Sequence, residues 1–321
     1  MRRLLTPILL GLSLVAGGAH AEGWPEKPIR IIAPFAPAST PDTVARVLAE
    51  GLTQRLGQTV LVENKQGAGG MIGTDQVARA TPDGYTLGVS VVGPLVNNKL
   101  LYSKMPYDPD TAFSLITIAV DQPSLITVRE GLDVADMNAL IEKLRANPGK
   151  FNYASIGNGS LSHLTMELIA QKSGTEMVHV PYAGSSQAVM ALLSGEVDVA
   201  ALPAAAVVPQ VKAGKLRALA VSTGRRSSQL PDLPTLKEAG LQGVEASAWI
   251  GLIAPAGVPQ DVLARIHKEA VAVLQEPAVA QKLAAQYMDP VGNTPAEFKA
   301  YTKEEFERWG PVITSNKITL D

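Results

Sequence analysis

Cysteine is absent from the 321 residues of the sequence, and histidine occurs only four times. Without cysteine the chain has no disulfide bonds, no thiolate metal ligands and no thiol nucleophile. The histidines, His20, His163, His179 and His267, show no metal-ligand spacing. We therefore expect no metal ion and no cofactor, and a fold that side-chain packing alone stabilises.

An excess of positive charge is also missing. The 28 Lys and Arg residues stand against 30 Asp and Glu residues, for a formal net charge of −2, and they form no basic block. Aromatic residues make up 5% of the chain and form no stripe together with basic residues. These features give no support for binding to nucleic acid, whether double- or single-stranded.

Long apolar runs are missing except near the N-terminus. There, Arg2 and Arg3 precede the apolar segment LLTPILLGLSLVAG, and the sequence AHA at residues 19–21 fits a small-x-small cleavage site. The apolar segment is shorter than the roughly 20 residues that a membrane-spanning helix needs, although an N-terminal membrane anchor is the alternative. We predict that residues 1–21 are a cleaved signal peptide and that the protein is exported to the periplasm of a Gram-negative cell.

Short β-branched runs alternate with amphipathic helical patterns over most of the remaining chain. The first series comprises IRIIAP, TVLVEN and TLGVSVV, at residues 29–34, 59–64 and 86–92. A second series comprises FNYAS, MVHV, VDVAAL and LRALAVS. Between the runs, apolar residues fall on one helical face, as they do at Val44, Val47, Leu48, Leu52 and Leu56. This alternation predicts an α/β protein whose sheets are mainly parallel and flanked by helices.

Two strand-like runs are long for a single strand and lie where one series gives way to the other: Ser114–Arg129 and Val244–Pro255. We interpret them as crossings between two lobes, and two crossings make a hinge beside a cleft. The expected limits are residues 22–120 and 250–321 for lobe 1, 125–243 for lobe 2, and 115–125 and 244–252 for the hinge strands. One continuous large sheet is the alternative.

In open parallel sheets, ligands bind beyond the carboxyl ends of the strands, where loops lead into helices. The segment GNGSLSH, Gly157–His163, follows the run FNYAS, and Ser160 or Ser162 can cap the helix after it. A helix N-terminus with free N–H groups suits an anion, and an ordinary capped turn is the alternative. The segment lacks the G-x-S-x-G pattern of a nucleophile turn and the Gly-Lys-Ser/Thr ending of a phosphate loop.

The segment PFAPASTPD provides a second candidate loop, after the first predicted strand. Pro41 suits the first turn of a helix that Thr40 would cap, and Ser39 and Thr40 offer hydroxyl groups beside its N-terminus. We predict that this loop and Gly157–His163 hold an anion from opposite lobes. The alternative is a simple helix cap, which is the interpretation we prefer for the Asp42 carboxylate.

Seven longer segments follow one another along the chain: WPEKPIRIIAPFAP, VENKQGAGGMIGTDQVARATPDGYTL, MPYDP, ANPGKFNYASIGNGSLSHL, HVPYAGSSQAVMALLSGEVD, VKAGKLRALAVSTGRRSSQLPDLPTLKEAGL and GLIAPAGVP. In this order they resemble the Bug-type periplasmic solute receptors of tripartite tricarboxylate transporters. The resemblance covers nearly all of the chain after residue 21.

The resemblance implies a two-lobed periplasmic binding protein with a type II-like fold, which closes on a small carboxylate and delivers it to membrane permease subunits. It implies a receptor without chemistry of its own, and we expect a monomer. In similar proteins two loops, which match residues 35–42 and 155–163, grip one carboxylate of the ligand, partly through bridging water molecules. The expected ligand-binding residues are Phe35, Ala36, Ala38, Ser39, Ser90, Val91, Ser155, Asn158, Gly159, Ser160, His163, Tyr182, Ser185, Leu202, Pro203 and Ala204.

Two departures from the family pattern bear on the ligand. The family usually has a Gly-Gly pair where this chain has Ala38 and Ser39, which restricts the backbone of the first loop. Many relatives have an acidic residue that aligns with Leu202, whereas residues 201–206 are apolar here. A buried ammonium group would stay unpaired against such a wall, at a cost in free energy. We therefore expect an apolar-bodied mono- or dicarboxylate, aromatic or aliphatic, in preference to an amino acid or citrate.

Two other functions fit parts of the sequence. The same fold would serve a subunit that reports ligand occupancy to a membrane sensor kinase, and mapping of the partner would separate the two. An exported hydrolase or isomerase acting on a carboxylate would need a nucleophile, a base and an orienting group. No such set can be assembled around His163.

Overall fold

The computed structural model of the protein describes residues 23–320. The predicted signal peptide, residues 1–21, lies outside the described residues and stays a prediction. Within residues 23–320 the chain forms two β-sheets with helices packed on both faces of each. None of the helices in this part of the chain is both long and apolar enough to cross a membrane.

Six strands of the described chain form the first sheet: β1 (Ile29–Ala33), β2 (Val60–Asn64), β3 (Thr86–Val91), β4 (Phe113–Asp121), β10 (Ile250–Pro255) and β11 (Asp289–Pro290). Their order across the sheet is β11–β4–β10–β3–β1–β2. Strand β1 pairs in parallel with β2 and β3, while β10 runs antiparallel between β3 and β4. The carboxyl ends of β1, β2, β3 and β4 therefore lie at the same edge of the sheet.

The α-helices that accompany the first sheet in residues 23–320 are α1 (Thr40–Leu56), α2 (Met71–Ala78), α3 (Asn98–Leu101), α8 (Gln260–Leu274), α9 (Pro277–Ala284) and α10 (Pro295–Ser315). A 3-10 helix, Ala68–Gly70, precedes α2, and a π-helix, Gly93–Asn97, precedes α3. The predicted apolar face of α1 is confirmed by the burial of Val44, Val47, Leu48, Leu52 and Leu56. These side chains pack within a core shared by β1 and α8.

Five strands form the second sheet: β5 (Ser124–Arg129), β6 (Asn152–Ser155), β7 (Val178–Pro181), β8 (Val199–Pro203) and β9 (Leu216–Val221), in the order β7–β6–β8–β5–β9. Strands β6, β7 and β8 are parallel, and β5 runs antiparallel to β8 and β9. The helices of this sheet are α4 (Met137–Arg145), α5 (Leu161–Ser173), α6 (Ser185–Ser194) and α7 (Ala204–Lys212). The second predicted series of strands is confirmed as β6 to β9.

The chain crosses between the two sheets twice. The predicted crossing Ser114–Arg129 consists of β4 in the first sheet and β5 in the second, which a short link separates. The return from β9 runs through residues 222–249, so that only the last part of the predicted run Val244–Pro255 is a strand, β10. The two crossings touch at a bridge between Pro123 and Ser247. The alternative of one continuous sheet is therefore wrong.

Helix α10 ties the two sheets together. It packs on α5 and on β4, and Glu305 in its middle has no exposed surface. The Glu305 carboxylate accepts hydrogen bonds from the indole N–H groups of Trp249 (3.3 Å) and Trp309 (3.1 Å), and it pairs with Arg308. Burial raises the pKa of Glu305, and Arg308 and the two indoles oppose that effect. Because Trp249 belongs to the return crossing, this carboxylate fixes α10 to the hinge.

We expect Glu305→Ala to lower the free energy of unfolding by about 3–5 kcal/mol, the usual loss when one partner of a buried charged network is removed. The substitution leaves the Arg308 guanidinium and two indole N–H groups without their acceptor. Chemical denaturation measures the change. Glu304→Ala, at the neighbouring exposed position, is the control, and an equal loss in both variants would contradict the role of Glu305.

Candidate functional site

Two sets of loops meet at the facing edges of the sheets. Strand β4 ends at the carboxyl edge of the first sheet, and the chain passes directly into β5, whose Ser124 pairs with Pro203 at the carboxyl end of β8. The carboxyl edges of the parallel strands are thereby turned toward each other, and α1, α5, α6 and α7 begin there. The lobes touch beside one loop, where Leu101 of α3 and Leu320 lie against Gly159.

The first loop, residues 35–39, ends in the N-cap of α1. Ser39 has an extended backbone, and its hydroxyl accepts a hydrogen bond from the Asp42 N–H (3.4 Å). The prediction that Thr40 caps the helix is wrong by one residue, since Thr40 already belongs to the helix. The sequence allowed either residue because Pro41, which has no N–H to donate, is tolerated throughout the first turn.

The buried Asp42 carboxylate holds the first loop in place. It accepts hydrogen bonds from the Ala38 N–H (2.8 Å), from the Asn64 amide (2.8 Å) and from Arg46 (2.9 Å). The Asn64 amide also donates to the Phe35 carbonyl (3.0 Å). Burial acts to raise the pKa of Asp42, but these donors outweigh it and the pKa is lowered. Asp42 therefore organises the loop as well as the start of the helix.

Ala38 adopts a left-handed backbone conformation, with a φ angle of 64°. Glycine adopts this conformation without strain, whereas a β-carbon there costs about 1–2 kcal/mol. The hydrogen bond from the Ala38 N–H to Asp42 offsets part of that strain. At Ala38 the loop therefore has a backbone conformation that favours glycine, and the Ala38 methyl group is exposed.

The second loop, residues 156–160, ends in the N-cap of α5. The Ser160 hydroxyl accepts a hydrogen bond from the His163 N–H (3.3 Å) and donates one to the Gly157 carbonyl (2.6 Å). The prediction that Ser160 or Ser162 caps this helix is confirmed, with Ser160 as the cap. Because its hydroxyl also closes the loop on itself, Ser160 has a structural role in addition to any contact with a ligand.

The hydroxyls of Ser155 and Ser162 support the second loop from inside the lobe. The Ser162 hydroxyl accepts a hydrogen bond from the Ile156 N–H (2.9 Å). The Ser155 hydroxyl contacts Nε2 of His179 (2.6 Å) and accepts from the Gly157 N–H (3.2 Å). Both serines are buried. The structure therefore places Ser155 behind the loop and not on its surface.

Two histidine rings stack beneath the second loop. The centroids of the His163 and His179 rings lie 3.9 Å apart at an interplanar angle of 7°, and the Tyr153 ring continues the stack at 4.9 Å from His179. Nδ1 of His163 accepts a hydrogen bond from the Gly159 N–H (3.0 Å). This bond requires that Nδ1 carry no proton. His163 therefore positions the loop through Gly159.

Burial disfavours the protonated form of both histidines. Burial lowers the pKa of His163 to about 4, with a smaller contribution from His179, and burial also lowers the pKa of His179. Since His163 is neutral near pH 7, its 4.0 Å contact with the Glu167 carboxylate is not an ion pair there. The Tyr153 hydroxyl donates to that carboxylate instead. A buried His163 whose Nδ1 is already bonded is not placed to act as a general base.

The start of α6 adds donors at the same edge of the second sheet. The half-buried Ser185 begins α6, which has no side-chain cap, and the Ser185 and Ser186 N–H groups have no partner among the described residues. The Tyr182 hydroxyl donates to Glu196 (2.9 Å), and burial together with this bond raises the pKa of Tyr182 to about 12. In this conformation the Tyr182 proton is therefore already engaged.

The remaining predicted residues divide by exposure. Ser90 is buried and hydrogen-bonded to the Thr74 hydroxyl (3.0 Å) inside the first lobe. Leu202 and Ala204 have no exposed surface and pack in the core of the second lobe. The predicted residues that the structure leaves exposed or half-buried at the facing edges are Phe35, Ala36, Ala38, Ser39, Val91, Asn158, Gly159, Ser160, Tyr182, Ser185 and Pro203. Their contact with a ligand stays a prediction.

Sequence reasoning missed two residues that support the loops, His179 and Asn64. His179 lies opposite Tyr153 in the register of β6 and β7, so that both side chains point to the same face. Asn64 ends β2 opposite Ala33, directly before the first loop. The roles of His179 and Asn64 can be recognised only when it is known which strands pair and in which register. The spacing of motifs along the sequence does not provide that information.

The two loops offer hydrogen-bond donors and contain no Lys or Arg. Beside the first loop, Arg46 pairs with Asp42 and Lys65 with Glu63 (2.7 Å). The N-termini of α1, α5 and α6 add partial positive charge. Across residues 23–320, no group of three acidic or histidine side chains is placed to hold a metal ion. The arrangement suits a small anion that N–H and hydroxyl dipoles bind.

Comparison with known proteins finds relatives along the whole chain. Residues 44–318 match the model of a protein family described as the tripartite tricarboxylate transporter family receptor. The chain is 35% identical to the protein BugT of Bordetella pertussis, over 100% of this chain and 99% of BugT.

Solved structures of similar proteins share the fold. A protein of R. palustris, solved with adipate, is 32% identical with a TM-score of 0.79, over 92% of this chain and 99% of that protein. MatC from Rhodopseudomonas palustris, solved with bound malate, is 30% identical with a TM-score of 0.75, over 90% of this chain and 100% of MatC. The predicted two-lobed binding-protein fold is confirmed.

We expect the stability of the protein to fall as the pH decreases from about 6.5 to about 4. The unfolded chain takes up a proton on His163 near pH 6.5, whereas in the folded chain the pKa of His163 is about 4. The folded state is therefore favoured above pH 6.5 and loses on the order of 3 kcal/mol by pH 4 from this group. Chemical denaturation at a series of pH values measures the slope.

His163→Gln tests the assignment of that slope. The Gln carbonyl oxygen can accept the Gly159 N–H but does not titrate, so the variant should lose less stability over the same pH range. His267→Gln removes a histidine from α8 and serves as the control. An unchanged slope in His163→Gln would show that other groups cause the pH dependence.

Proposed function

The chain belongs to the family of tripartite tricarboxylate transporter receptors, which are solute-binding proteins and not enzymes, and we propose that it captures a small carboxylate between its two lobes in the periplasm. On this proposal the lobes close over the ligand, and the closed receptor delivers it to the membrane permease subunits of such a transporter. Residues 1–21 direct the export that this role requires.

One observation carries the proposal: the capped N-termini of α1 and α5 begin at the facing edges of the two sheets. The N–H groups of Thr40, Leu161 and Ser162 have no hydrogen-bond partner among the described residues. Unpaired N–H groups and the helix dipole together stabilise a carboxylate. A carboxylate bound by both loops bridges the lobes, and a ligand that binds the closed form better shifts the protein toward it.

The surface beside the loops supports a ligand with an apolar body. Phe35, Val91 and Pro203 present half-buried apolar surface, and Ala205 is exposed. We expected Leu202 to contribute to this wall, but its side chain is buried in the core, so its neighbours replace it. Covering such surface is worth about 25 cal/mol per Å². An ammonium group buried against these side chains would find no acceptor among them.

The ligands in the similar structures support a carboxylate, and one of them supports an apolar body. Adipate, in the R. palustris structure, is a dicarboxylate with a methylene body, whereas malate, in MatC, is a dicarboxylate that carries a hydroxyl group. We infer that this chain takes an apolar-bodied mono- or dicarboxylate, aromatic or aliphatic, in preference to an amino acid or citrate.

Isothermal titration calorimetry against adipate, benzoate, aspartate, glutamate and citrate tests the ligand class. We expect binding of adipate or benzoate and none of the two amino acids, because the described apolar surface offers no acceptor for their ammonium group. Binding of aspartate or glutamate alone would overturn the ligand class and leave the receptor role intact. Binding of none of the carboxylates would count against the carboxylate site itself.

Replacement of Asn158 by Ala tests the second loop. The Asn158 side chain is exposed and has no hydrogen bond among the described residues, so its loss should leave stability unchanged. A lost hydrogen bond to a charged ligand weakens binding by about ten- to hundredfold. Asn138→Ala is the matched control, since α4 begins at the opposite edge of the second sheet. Equal affinities of both variants for the ligand would place the anion elsewhere.

A further inference from the structure

A groove lies on the first lobe, away from both loops of the candidate site. We call it the β4 groove. It runs along the start of β4 between α8 and α10 and has a volume of about 1000 Å³. The apolar side chains that line it include Leu95, Phe113, Leu115, Leu263 and Phe306. No residue of the first or second loop contributes to it.

The wall of the groove contains an open strand edge. Strand β10 pairs with β4 on one side from Phe113 onward, but on the other side β11 reaches only Val120 and Asp121. Asn293 and its neighbours cover β4 as far as Thr117. From Phe113 to Ile116 no strand of the described chain pairs with that side. An open edge presents unpaired N–H and C=O groups that an extended peptide can join.

The rim of the groove carries an excess of positive charge. Lys99, Lys299 and Lys303 line it together with a single carboxylate, that of Asp110. Lys99 pairs with Asp110 and Lys303 with Glu307 (3.8 Å), whereas Lys299 has no ion pair among the described residues. All three ammonium groups belong to exposed residues. A partner with acidic side chains would complement this rim.

We propose that the β4 groove binds an extended acidic segment of a partner protein, which adds to β4 as a further strand at residues 113–116. In a strand, successive side chains point to opposite faces. Apolar side chains of the segment then enter the groove between α8 and α10, and acidic side chains face the lysines. Backbone pairing, apolar contact and charge thus each select the same occupant.

The positive charge of the groove rim argues against two other possible occupants of the β4 edge, residues 1–22 and a second copy of the chain. Residues 1–22 contain Arg2 and Arg3 and no acid before Glu22, so they match the sign of the rim. A second copy of the chain would bring its own lysines of α3 and α10 close to those of the first, and like charges brought together across an interface repel. The rim lysines therefore disfavour a basic strand and favour an acidic one.

Fluorescence anisotropy with a short labelled peptide of alternating Glu and Val tests the proposal. The peptide should bind the full chain, and the binding should weaken with salt because the rim charges are exposed. The double variant K299E/K303E should weaken it by about tenfold or more. K215E/K237E, which changes the net charge equally at exposed positions directly before β9 and in the return crossing, should bind as the wild type does.

Amide hydrogen exchange locates the peptide. Slower exchange at residues 113–117 on peptide addition is the result expected of strand addition. Failure of the Glu–Val peptide to bind would overturn the proposal, as would equal binding of a Lys–Val peptide or equal loss in both double variants. Protection of residues 113–117 that is complete before peptide is added would show that the chain itself covers the edge, and would also overturn it.

Discussion

The path of the chain from β4 into β5 is the constraint on which the candidate site depends. Strand β4 ends at the carboxyl edge of its sheet, and after Pro123 the chain begins β5 at the carboxyl edge of the other sheet. So short a link holds these two edges close together. Every loop that follows a parallel strand in either lobe then opens toward the same cleft. The bridge from Pro123 to Ser247 adds the return crossing at the same place.

The strands and their division into two sheets could be predicted because buried parallel strands are continuous apolar runs. The length of Ser114–Arg129 exceeds that of an ordinary strand, and this excess indicated the crossing. Residues 244–249 could not be assigned in the same way. Their composition is as compatible with a strand as that of β10, and their irregular path follows from contacts with the first crossing and from the bond between Trp249 and Glu305.

The loops of the candidate site could be predicted, but their hydrogen bonds could not. Ser, Gly and Asn between a strand and a helix are visible in the sequence. Which donors remain free depends on residues distant along the chain. The Asp42 carboxylate, which is hydrogen-bonded to the Asn64 amide, accepts the Ala38 N–H. The Ser155 hydroxyl is hydrogen-bonded to Nε2 of the His179 ring, inside the lobe. Residue types therefore locate the loops, whereas tertiary contacts decide which groups a ligand can reach.

Under the proposed function, a site built from dipoles links the affinity for an anion to closure of the lobes. The field of a helix N-terminus acts mainly within its first turn, and water weakens it. On this proposal one loop alone would hold a carboxylate weakly, while two loops around a ligand from which water is excluded would hold it strongly. The internal bonds of Asp42, Ser160 and His163 keep both loops ordered beforehand. Closure then does not need to order the loops, and their binding free energy is available to bring the lobes together.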